Sequence, residues 1–332
     1  QIDYTLLIFH YKMLIVQQQS TDPYFNIATE EHLLKNYADD IFILYRNQPS
    51  IIVGKHQNAI AEINLDFVNR KGLNVVRRLS GGGTVYHDLG NLNYTFIANG
   101  SEGNLVDFKK FTQPAIEVLN ALGVEAHIGG KNDIRVGNKK ISGNAEHVFK
   151  SRVLHHGTLL FSSNLDDLNE AIRVIPDSYS DKAVKSIRSQ VANISEYLTS
   201  KISIEGFTKM IENHIKSTFP NSTVFNLSPE DIISINNLVK TKYSTWEWNF
   251  GYSPSYILNR RVEFNGKQIS IVLTVDKGII SQISISGNLD KNITTEIEQL
   301  LIGCKHDYES ISTIIYKADL GILADRFLGG LF

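Results

Sequence analysis

The sequence predicts an α/β (α+β) protein in which a large first domain, residues 13–248, is joined by a linker at 249–255 to a small α+β domain at 256–332. Three observations carry that expectation. Helix-like and strand-like stretches interleave along the first part, each at a length that suits its period. Beyond Trp246-Glu247-Trp248-Asn249-Phe250-Gly251 and Pro254 the pattern turns to period-two strands broken by Asn265-Gly266 and Asp276-Lys277-Gly278, with a closing helix after them. Finally, the triplet Gly81-Gly82-Gly83 lies between two β-rich runs, where a plain hairpin would need only two turn residues.

Taken in order, Asp22-Pro23 is an acidic N-cap with proline at the first helical position. Phe25, Ala28, Leu33 and Leu34 give that helix an apolar face as far as Tyr37. Strands follow at 41–45 and 51–53, separated by Asn47-Gln48-Pro49-Ser50, then a polar loop at 54–58 and a short helix at 65–71 closed by Gly72. A strand at 73–76 delivers the glycine triplet, and another at 92–97 follows it. The next helix starts near Phe108 and stops at Gly123, with a strand at 124–128 behind it. Gly129-Gly130-Lys131-Asn132-Asp133 leads into a hairpin of 134–136 and 140–145, turned by Gly137-Asn138-Lys139. In the strand 153–161, alternation sends His155 and His156 to opposite faces, so one of them points inward or into a site. Residues 176–190 are polar with weak periodicity, which suits a segment that closes over a ligand and equally a plain surface crossover. Phe207, Met210, Ile211, His214 and Ile215 fall at helical spacing as core contacts, and Ser228-Pro229 opens a further helix. Asp290 caps the last helix, with Ile293, Ile297, Leu300 and Leu301 on one face.

The 332 residues are 42% hydrophobic and 20% charged, enough apolar material for a real core. Lys plus Arg number 33 against 35 Asp plus Glu, so a general nucleic-acid binder is not expected and any anion site must be local. The lone Cys304 excludes an intramolecular disulfide and a cysteine metal cluster, and it suits a reducing compartment. No run approaches the ~20 apolar residues of a membrane helix. A signal peptide is not expected, and Met13 is a candidate natural start with 1–12 as an extension. The expectation is a cytoplasmic monomer with no nucleic-acid and no membrane partner.

Without Cβ atoms, a glycine triplet takes left-handed geometry and lets backbone N–H groups converge on an anion. Arg77 and Arg78 precede it, and Ser80, Thr84, Tyr86 and His87 add hydrogen-bonding groups around it. The stretch fits neither the P-loop nor the dinucleotide pattern. Alone, three glycines read as a mobile loop; with these neighbours they read as an anion cradle.

The blocks Asp22-Pro23-Tyr24-Phe25-Asn26-Ile27-Ala28-Thr29-Glu30-Glu31, Arg77-Arg78-Leu79-Ser80-Gly81-Gly82-Gly83-Thr84-Val85-Tyr86-His87-Asp88 and Lys131-Asn132-Asp133 stand in one order. They continue with Lys140-Ile141-Ser142-Gly143-Asn144-Ala145, His155-His156-Gly157-Thr158-Leu159-Leu160, Ser186-Ile187-Arg188-Ser189 and Trp246-Glu247-Trp248. Together they resemble the lipoate-protein ligases over nearly the whole chain from Asp22. The resemblance implies a biotin/lipoate ligase-like catalytic domain, with mixed β-sheets flanked by helices, and the small accessory domain of the long ligases. It also implies activation of lipoate or octanoate by ATP to an acyl-adenylate, with release of pyrophosphate. Transfer then follows to a lysine of an apo lipoyl domain, in a glycine cleavage H protein or an E2 subunit of a 2-oxoacid dehydrogenase.

By the same resemblance Lys140 is the catalytic residue and touches both reactants. Arg78, Gly83, Thr84, Val85, Tyr86, Asn132 and Asp133 contact the nucleotide, and Asp133 offers an oxygen to Mg²⁺. Arg77, Ser80, Gly81, Gly82, His87, Ser142, Gly143, His156, Gly157 and Thr158 contact lipoate. The segment 176–190 becomes the adenylate-binding loop, carrying Lys182, Lys185 and Arg188. The residue types suit the chemistry. Joining two anions needs positive charge and oriented N–H donors, Mg²⁺ takes one or two carboxylates plus phosphate oxygens, and a compact ammonium follows charge from carboxylate to phosphate. On its own, Lys140 would read as a solvated turn lysine like Lys139.

Rival readings remain at this level. A lipoyl or octanoyl transferase moving acyl groups between carrier proteins through a thioester needs a thiolate, and Cys304 lies by an apolar helix of the small domain, where a buried hydrophobe is expected. A lysine-dependent transferase without cysteine survives that objection. Biotin ligases carry a Gly-Arg-Gly-Arg-rich loop, which this chain lacks. A non-catalytic lipoate-binding scaffold has no use for Lys140 and a metal-ready Asp133.

Overall fold

Why three glycines stand where two would turn a hairpin is answered by strand order. In the computed structural model a three-stranded sheet has β4 (Asn74–Arg77) and β5 (Val85–His87) on either side of β3 (Ser50–Val53). β3 runs parallel to β4 and antiparallel to β5. Residues 78–84 therefore cross the end of β3, two strand spacings or roughly 9 to 10 Å, and close no hairpin. The structure describes residues 12–100, 105–130, 132–172, 178–264, 267–287, 290–317 and 324–332. The expectations at residues 1–11, Lys131, Pro176, Asp177 and the Asn265-Gly266 turn lie outside the described residues.

The remaining elements begin with β1 (Met13–Gln17), α1 (Pro23–Asn36), β2 (Asp40–Tyr45), α2 (Ala59–Glu62) and α3 (Leu65–Lys71). After the small sheet come β6 (Asn91–Asn99), α4 (Phe108–Ala121), β7 (Ala126–Gly129), β8 (Asp133–Val136), β9 (Lys139–Phe149) and β10 (Arg152–Leu160). Then follow α5 (Leu165–Ala171), β11 (Tyr179–Asp181), α6 (Ile204–Thr218), β12 (Thr223–Phe225) and α7 (Pro229–Leu238). β13 (Tyr256–Phe264), β14 (Lys267–Asp276), β15 (Ile279–Gly287), α8 (Lys291–Leu301), α9 (Tyr308–Lys317) and α10 (Ala324–Gly329) complete the chain. Among the described residues no helix is long and apolar enough to cross a membrane.

The chain divides into two compact units. The first comprises the chain up to Lys55, Leu73–Asn169 and Ile187–Ser244; the second comprises His56–Gly72, Glu170–Ser186 and Thr245–Phe332. An eight-stranded mixed sheet in the order β12-β1-β2-β6-β10-β9-β8-β7 forms the body of the first unit. On one face α4 and α6 bring Phe111, Leu119, Phe207, Ile211 and Ile215 against Phe42, Phe96 and Leu159. The apolar stripe of α6 is narrower than the spacing suggested. Met210 is 38% exposed, and the ring of His214 pairs with Glu117 at 2.8 Å. The other face receives α1, which touches β6, β10 and β4. Its cap is as expected, with Asp22 Oδ1 accepting from Tyr24 N at 2.8 Å. α1 is tied to α7 by Asp231, whose carboxylate takes His32 Nε2 at 2.7 Å and the Tyr37 hydroxyl at 2.8 Å.

In the second unit β11-β13-β14-β15 form an antiparallel sheet, and α8, α9 and α10 bury Ile297, Leu301, Ile311 and Phe327 against Leu258, Ile271 and Leu273. β11 pairs with β13 although the two are far apart in sequence. The strand expected at 262–264 begins at Tyr256, because the run 256–261 ends in two arginines that mask its alternation. Leu300 is 47% exposed, off the apolar face expected for it. Cys304 is half-buried, its Sγ directed at Leu300 O at 3.1 Å.

Asp231 yields a test. Burial pushes its carboxyl up, but hydrogen bonds from His32, Ser228 and Tyr37 outweigh that and hold it down at about 2. A carboxylate with a depressed folded-state pKa stabilises the fold above its unfolded pKa, and the contribution is lost as pH falls through the folded one. Asp231→Asn is expected to be less stable than the wild type at neutral pH, and the gap in urea midpoint is expected to close between about pH 4 and pH 2. A gap that stays constant over that range would contradict the assignment.

Candidate functional site

The crossing at 78–84 is shaped by one side chain. Arg78 is 5% exposed. Its Nη2 donates to the carbonyls of Gly81 and Gly83 at 2.7 Å, its Nη1 to Ile52 O at 3.0 Å and its Nε to Ser80 Oγ at 2.9 Å. In a trans peptide the N–H points opposite to the C=O, so turning those two carbonyls inward turns the N–H groups of Gly82 and Thr84 outward. That is the geometry of an anion cradle. Gly82 has φ +88°, and a Cβ there would come within 3.2 Å of Arg78 Nη2. Burial brings the Arg78 guanidinium down to about 10, with the charges of Glu30 and Tyr45 pulling the other way. Arg77, fully buried, donates from Nη1 to Gly54 O and Lys55 O at 2.9 and 3.1 Å.

Behind the cradle runs a buried polar chain. Ser80 Oγ lies 2.6 Å from His156 Nε2, and His156 Nδ1 lies 2.9 Å from Glu30 Oε2. A carboxylate only accepts, so Nδ1 carries a proton, and Ser80 Oγ, which accepts from Arg78 Nε, has its hydroxyl proton to offer to Nε2. Glu30 also accepts from Tyr45 and Thr95. Burial pushes its carboxyl up, yet the neighbouring His156 and these hydrogen bonds leave it below the usual range. Alongside, Asn26 Nδ2, fixed by Ser20 O and Arg46 O, donates to Asn47 Oδ1, so Asn47 Nδ2 donates to His87 Nδ1 at 3.0 Å. His87 thus carries its proton on Nε2, which is buried and has no hydrogen-bond partner among the described residues. Burial, with Arg78 and His156 adding to it, lowers His87 to about 3 and keeps it neutral.

Lys140 sits at a bulge. Ile134 pairs with Ser142 but Arg135 with Lys140, leaving Ile141 as the extra, fully buried residue of β9. Bulges of this kind re-aim a side chain next to a site. The Lys140 backbone is held by Gln190 O at 2.8 Å and by Ala192 N at 3.1 Å. A Cβ on Gly143 would lie 3.0 Å from Lys140 Nζ, so the ammonium lies over that glycine. Burial lowers the Lys140 pKa; Asp133 raises it, while Arg135 and Arg78 lower it further. Asp133 is 7% exposed. Its Oδ2 takes Arg135 Nε and Nη2, each at 2.8 Å, and its Oδ1 is buried without a partner among the described residues. Asn132 and Asn144 clasp each other's backbone, Nδ2 to Asn144 O at 2.7 Å and Asn144 N to Asn132 O at 2.8 Å. Ser142 Oγ accepts from Asn144 Nδ2 at 3.2 Å, and Thr158 Oγ1 accepts from Gly143 N at 3.1 Å. Gly157 is required: a Cβ would fall 2.0 Å from Asn144 Oδ1 and 2.7 Å from the Tyr94 ring.

The first unit thus brings together Arg77, Arg78, Ser80–Tyr86, His87, Asn132, Asp133, Lys140, Ser142, Gly143, His156, Gly157 and Thr158. The polar crossover is divided. Arg188 belongs to the first unit and Lys182 and Lys185 to the second, all three exposed. Within the second unit Ser186 N donates to Glu62 Oε1 at 3.1 Å, with its hydroxyl on the other carboxylate oxygen, and Val184 N donates to His56 O at 3.1 Å. Sequence reasoning gave no role to Glu30, Asn47, Tyr45 or Asn144. Glu30 had a signal: it lies four residues before Leu34 and three after Ile27, a carboxylate on the buried stripe of a helix.

Outward N–H groups, a half-buried ammonium and a buried carboxylate oxygen without a partner among the described residues, on a mixed sheet flanked by helices, suit a ligase that joins two anionic reactants. The lipoyl protein ligase A/B catalytic domain family matches residues 22–216, and the bacterial lipoate protein ligase C-terminus matches 253–325. Lipoate-protein ligase 1 of Staphylococcus aureus is 42% identical over 305 residues, covering 90% of this chain and 92% of that protein. The structure of a bipartite lipoate protein ligase and its E2 lipoyl domain from Thermoplasma acidophilum is similar at TM-score 0.64 and 26% identity, covering 73% of this chain and 98% of that one. Lipoate-protein ligase A bound with ATP gives TM-score 0.62 and 26% identity, covering 73% and 99%. The chain belongs to the lipoate-protein ligases, enzymes that attach lipoate to protein.

Gly157→Ala is expected to destabilise the protein by about 1–3 kcal/mol, the usual cost of forcing a methyl into a filled core, read as a lower urea midpoint. An unchanged midpoint would show that the Tyr94–Asn144 contact gives way freely.

Proposed function

We propose that the chain activates lipoate or octanoate with ATP and then passes the acyl group from the adenylate to a lysine of an apo lipoyl domain, with Lys140 as the catalytic residue. In the first step a carboxylate oxygen of lipoate bonds to the α-phosphorus of ATP and pyrophosphate leaves. Two anions must meet, so donors fixed in advance stabilise the developing charge without reorganising. Arg78, Gly83, Thr84, Val85 and Tyr86, with Asn132 and Asp133, take the nucleotide. Ser80, Gly81, Gly82, His87, Ser142, Gly143, His156, Gly157 and Thr158 take the lipoyl group, and Arg77 braces that wall through the carbonyls of Gly54 and Lys55. The observation that carries the reading is the half-buried Lys140 ammonium, lying over Gly143 and coupled in charge to both Asp133 and Arg78.

Asp133 is the residue that would hold Mg²⁺. Among the described residues its buried Oδ1 has no partner, which suits a hard cation, and no set of three His, Cys, Asp or Glu side chains could hold a metal alone. The remaining ligands would be water and phosphate oxygens, as is usual for this ion, and its chemistry would be to neutralise phosphate charge. Lys182, Lys185 and Arg188 lie on a segment that orders over the nucleotide and keeps water from the mixed anhydride. The acceptor is a lipoyl domain of an H protein or an E2 subunit; the Thermoplasma acidophilum ligase and its E2 lipoyl domain support that choice. We further propose residues 13–248 as the catalytic part, a monomeric state, and a cytoplasmic location, the last on the single unpaired Cys304.

The reading is tested by incubating an apo lipoyl domain with the protein, ATP, Mg²⁺ and lipoate and weighing the product. A gain of one lipoyl group is expected. Lys140→Ala is expected to slow the gain about 10²- to 10³-fold, the usual loss when such a donor is removed. No gain with the wild type, or equal rates with Lys140→Ala, would refute it.

A further inference from the structure

The hairpin of β8 and β9 carries groups assigned above to both reactants: Asn132 and Asp133 to the nucleotide, Ser142 and Gly143 to the lipoyl group, with the Lys140 ammonium lying over Gly143. Joining two reactants is sensitive to such placement, since an error of about 1 Å can cost on the order of 10²-fold in rate. The strand ladder alone does not secure it. Asn132 stands just outside the start of β8, and the register of the pair slips at Ile141. A buried polar ring on the same hairpin supplies the missing hold.

We infer that Tyr94 and Asn144 are positioning residues of the ligase reaction, which hold the nucleotide side and the lipoyl side of this hairpin as one piece. The inference rests on the ligase reading above and deepens it. The Tyr94 hydroxyl, from β6, donates to Asn144 Oδ1. Asn144 Nδ2 divides its two hydrogens between Asn132 O and Ser142 Oγ, each at 3.2 Å. Ser142 in turn bonds the Tyr94 hydroxyl. The Tyr94 proton is already spent on Asn144, so Ser142 is the donor there and the ring closes. Its members are out of solvent, with Tyr94 2%, Asn144 4% and Ser142 0% exposed.

The Asn144 amide fits in one orientation. A carbonyl oxygen only accepts, so the amide nitrogen must face Asn132 O and the amide oxygen must face the Tyr94 proton. Turned over, it would set two oxygens against each other and leave the tyrosine without an acceptor. Asn132 O also accepts from Asn144 N at 2.8 Å, and Asn132 Nδ2 donates back to Asn144 O at 2.7 Å. Three bonds thus hold the residue that precedes Asp133. Gly143 stands between Ser142 and Asn144, two members of the ring, so the floor under the Lys140 ammonium is set by the same bonds. A buried network with every member satisfied rigidifies what it joins, and one lost partner leaves the others short. Removing the Tyr94 hydroxyl therefore loosens both sides of the hairpin at once.

The test is lipoate-dependent exchange of pyrophosphate into ATP by the full chain, with lipoate and Mg²⁺-ATP varied in turn. In Tyr94→Phe the KM values for lipoate and for ATP are both expected to rise about 5- to 10-fold, the effect of one neutral hydrogen bond withdrawn from a buried network. A merely structural role would lower the amount of active protein, which reduces the apparent kcat and leaves both KM values in place. Phe42→Leu makes that comparison directly. It trims a buried core ring on β2, so its urea midpoint is expected to fall with both KM values unchanged. Unchanged KM values in Tyr94→Phe protein with a wild-type circular dichroism spectrum overturn the inference, as does a rise in one KM alone or an equal rise in Phe42→Leu. Should Tyr94→Phe fail to fold, Asn144→Ser decides: it deletes the amide, and a rise in both KM values supports the inference while unchanged values overturn it. Absence of exchange in the wild type overturns the ligase reading and the inference together, whereas wild-type exchange with unmoved KM values in the variant overturns the inference alone.

Discussion

A guanidinium buried under a loop would ordinarily be a liability, because removing a charge from water costs several kcal/mol unless the site replaces its hydration. Arg78 has that replacement, in three backbone carbonyls and the Ser80 hydroxyl. The cost of burial and the shape of the loop are one fact: the bonds that make the arginine tolerable also turn the Gly81 and Gly83 carbonyls inward. The outward N–H groups of Gly82 and Thr84 and the fixed place of Ser80 follow from that turn.

The two histidines of β10 show how one strand serves two purposes. His156 faces α1 and joins the polar chain to Glu30. His155 faces α4, pairs with Glu146 at 2.8 Å and lies against Tyr94, Phe108 and Phe111. Both pairs are histidine with glutamate, but only His156 also touches the glycine crossing. Burial and the company of aromatic rings make His155 a core group; its pKa is pushed down by burial even though Glu146 pulls it up.

Much of this was legible from residue types. The caps of α1 and α7, the left-handed stops at Gly72 and Gly123, and the opposite faces of His155 and His156 all follow local rules that the structure obeys. Pairings between distant segments were not legible. Nothing local tells that β4 and β5 flank β3, that β11 joins β13, or that Ile141 is a bulge aiming Lys140, since these depend on partners far along the chain. Glu30 and Asn144 were passed over for the same reason. A buried polar residue declares itself in sequence only by standing on an apolar stripe, and its partners decide whether it is a strut or part of a site.

The central claim is that the buried Arg78 builds the phosphate cradle and does more than lend it charge. It is tested most directly by the affinity for ATP of Arg78→Lys, which keeps the charge and loses the fork of donors that holds two carbonyls at once. The account predicts that ATP binds about 10- to 100-fold more weakly to this variant, the effect of losing one or two charge-assisted hydrogen bonds. Wild-type affinity in folded Arg78→Lys protein would contradict it.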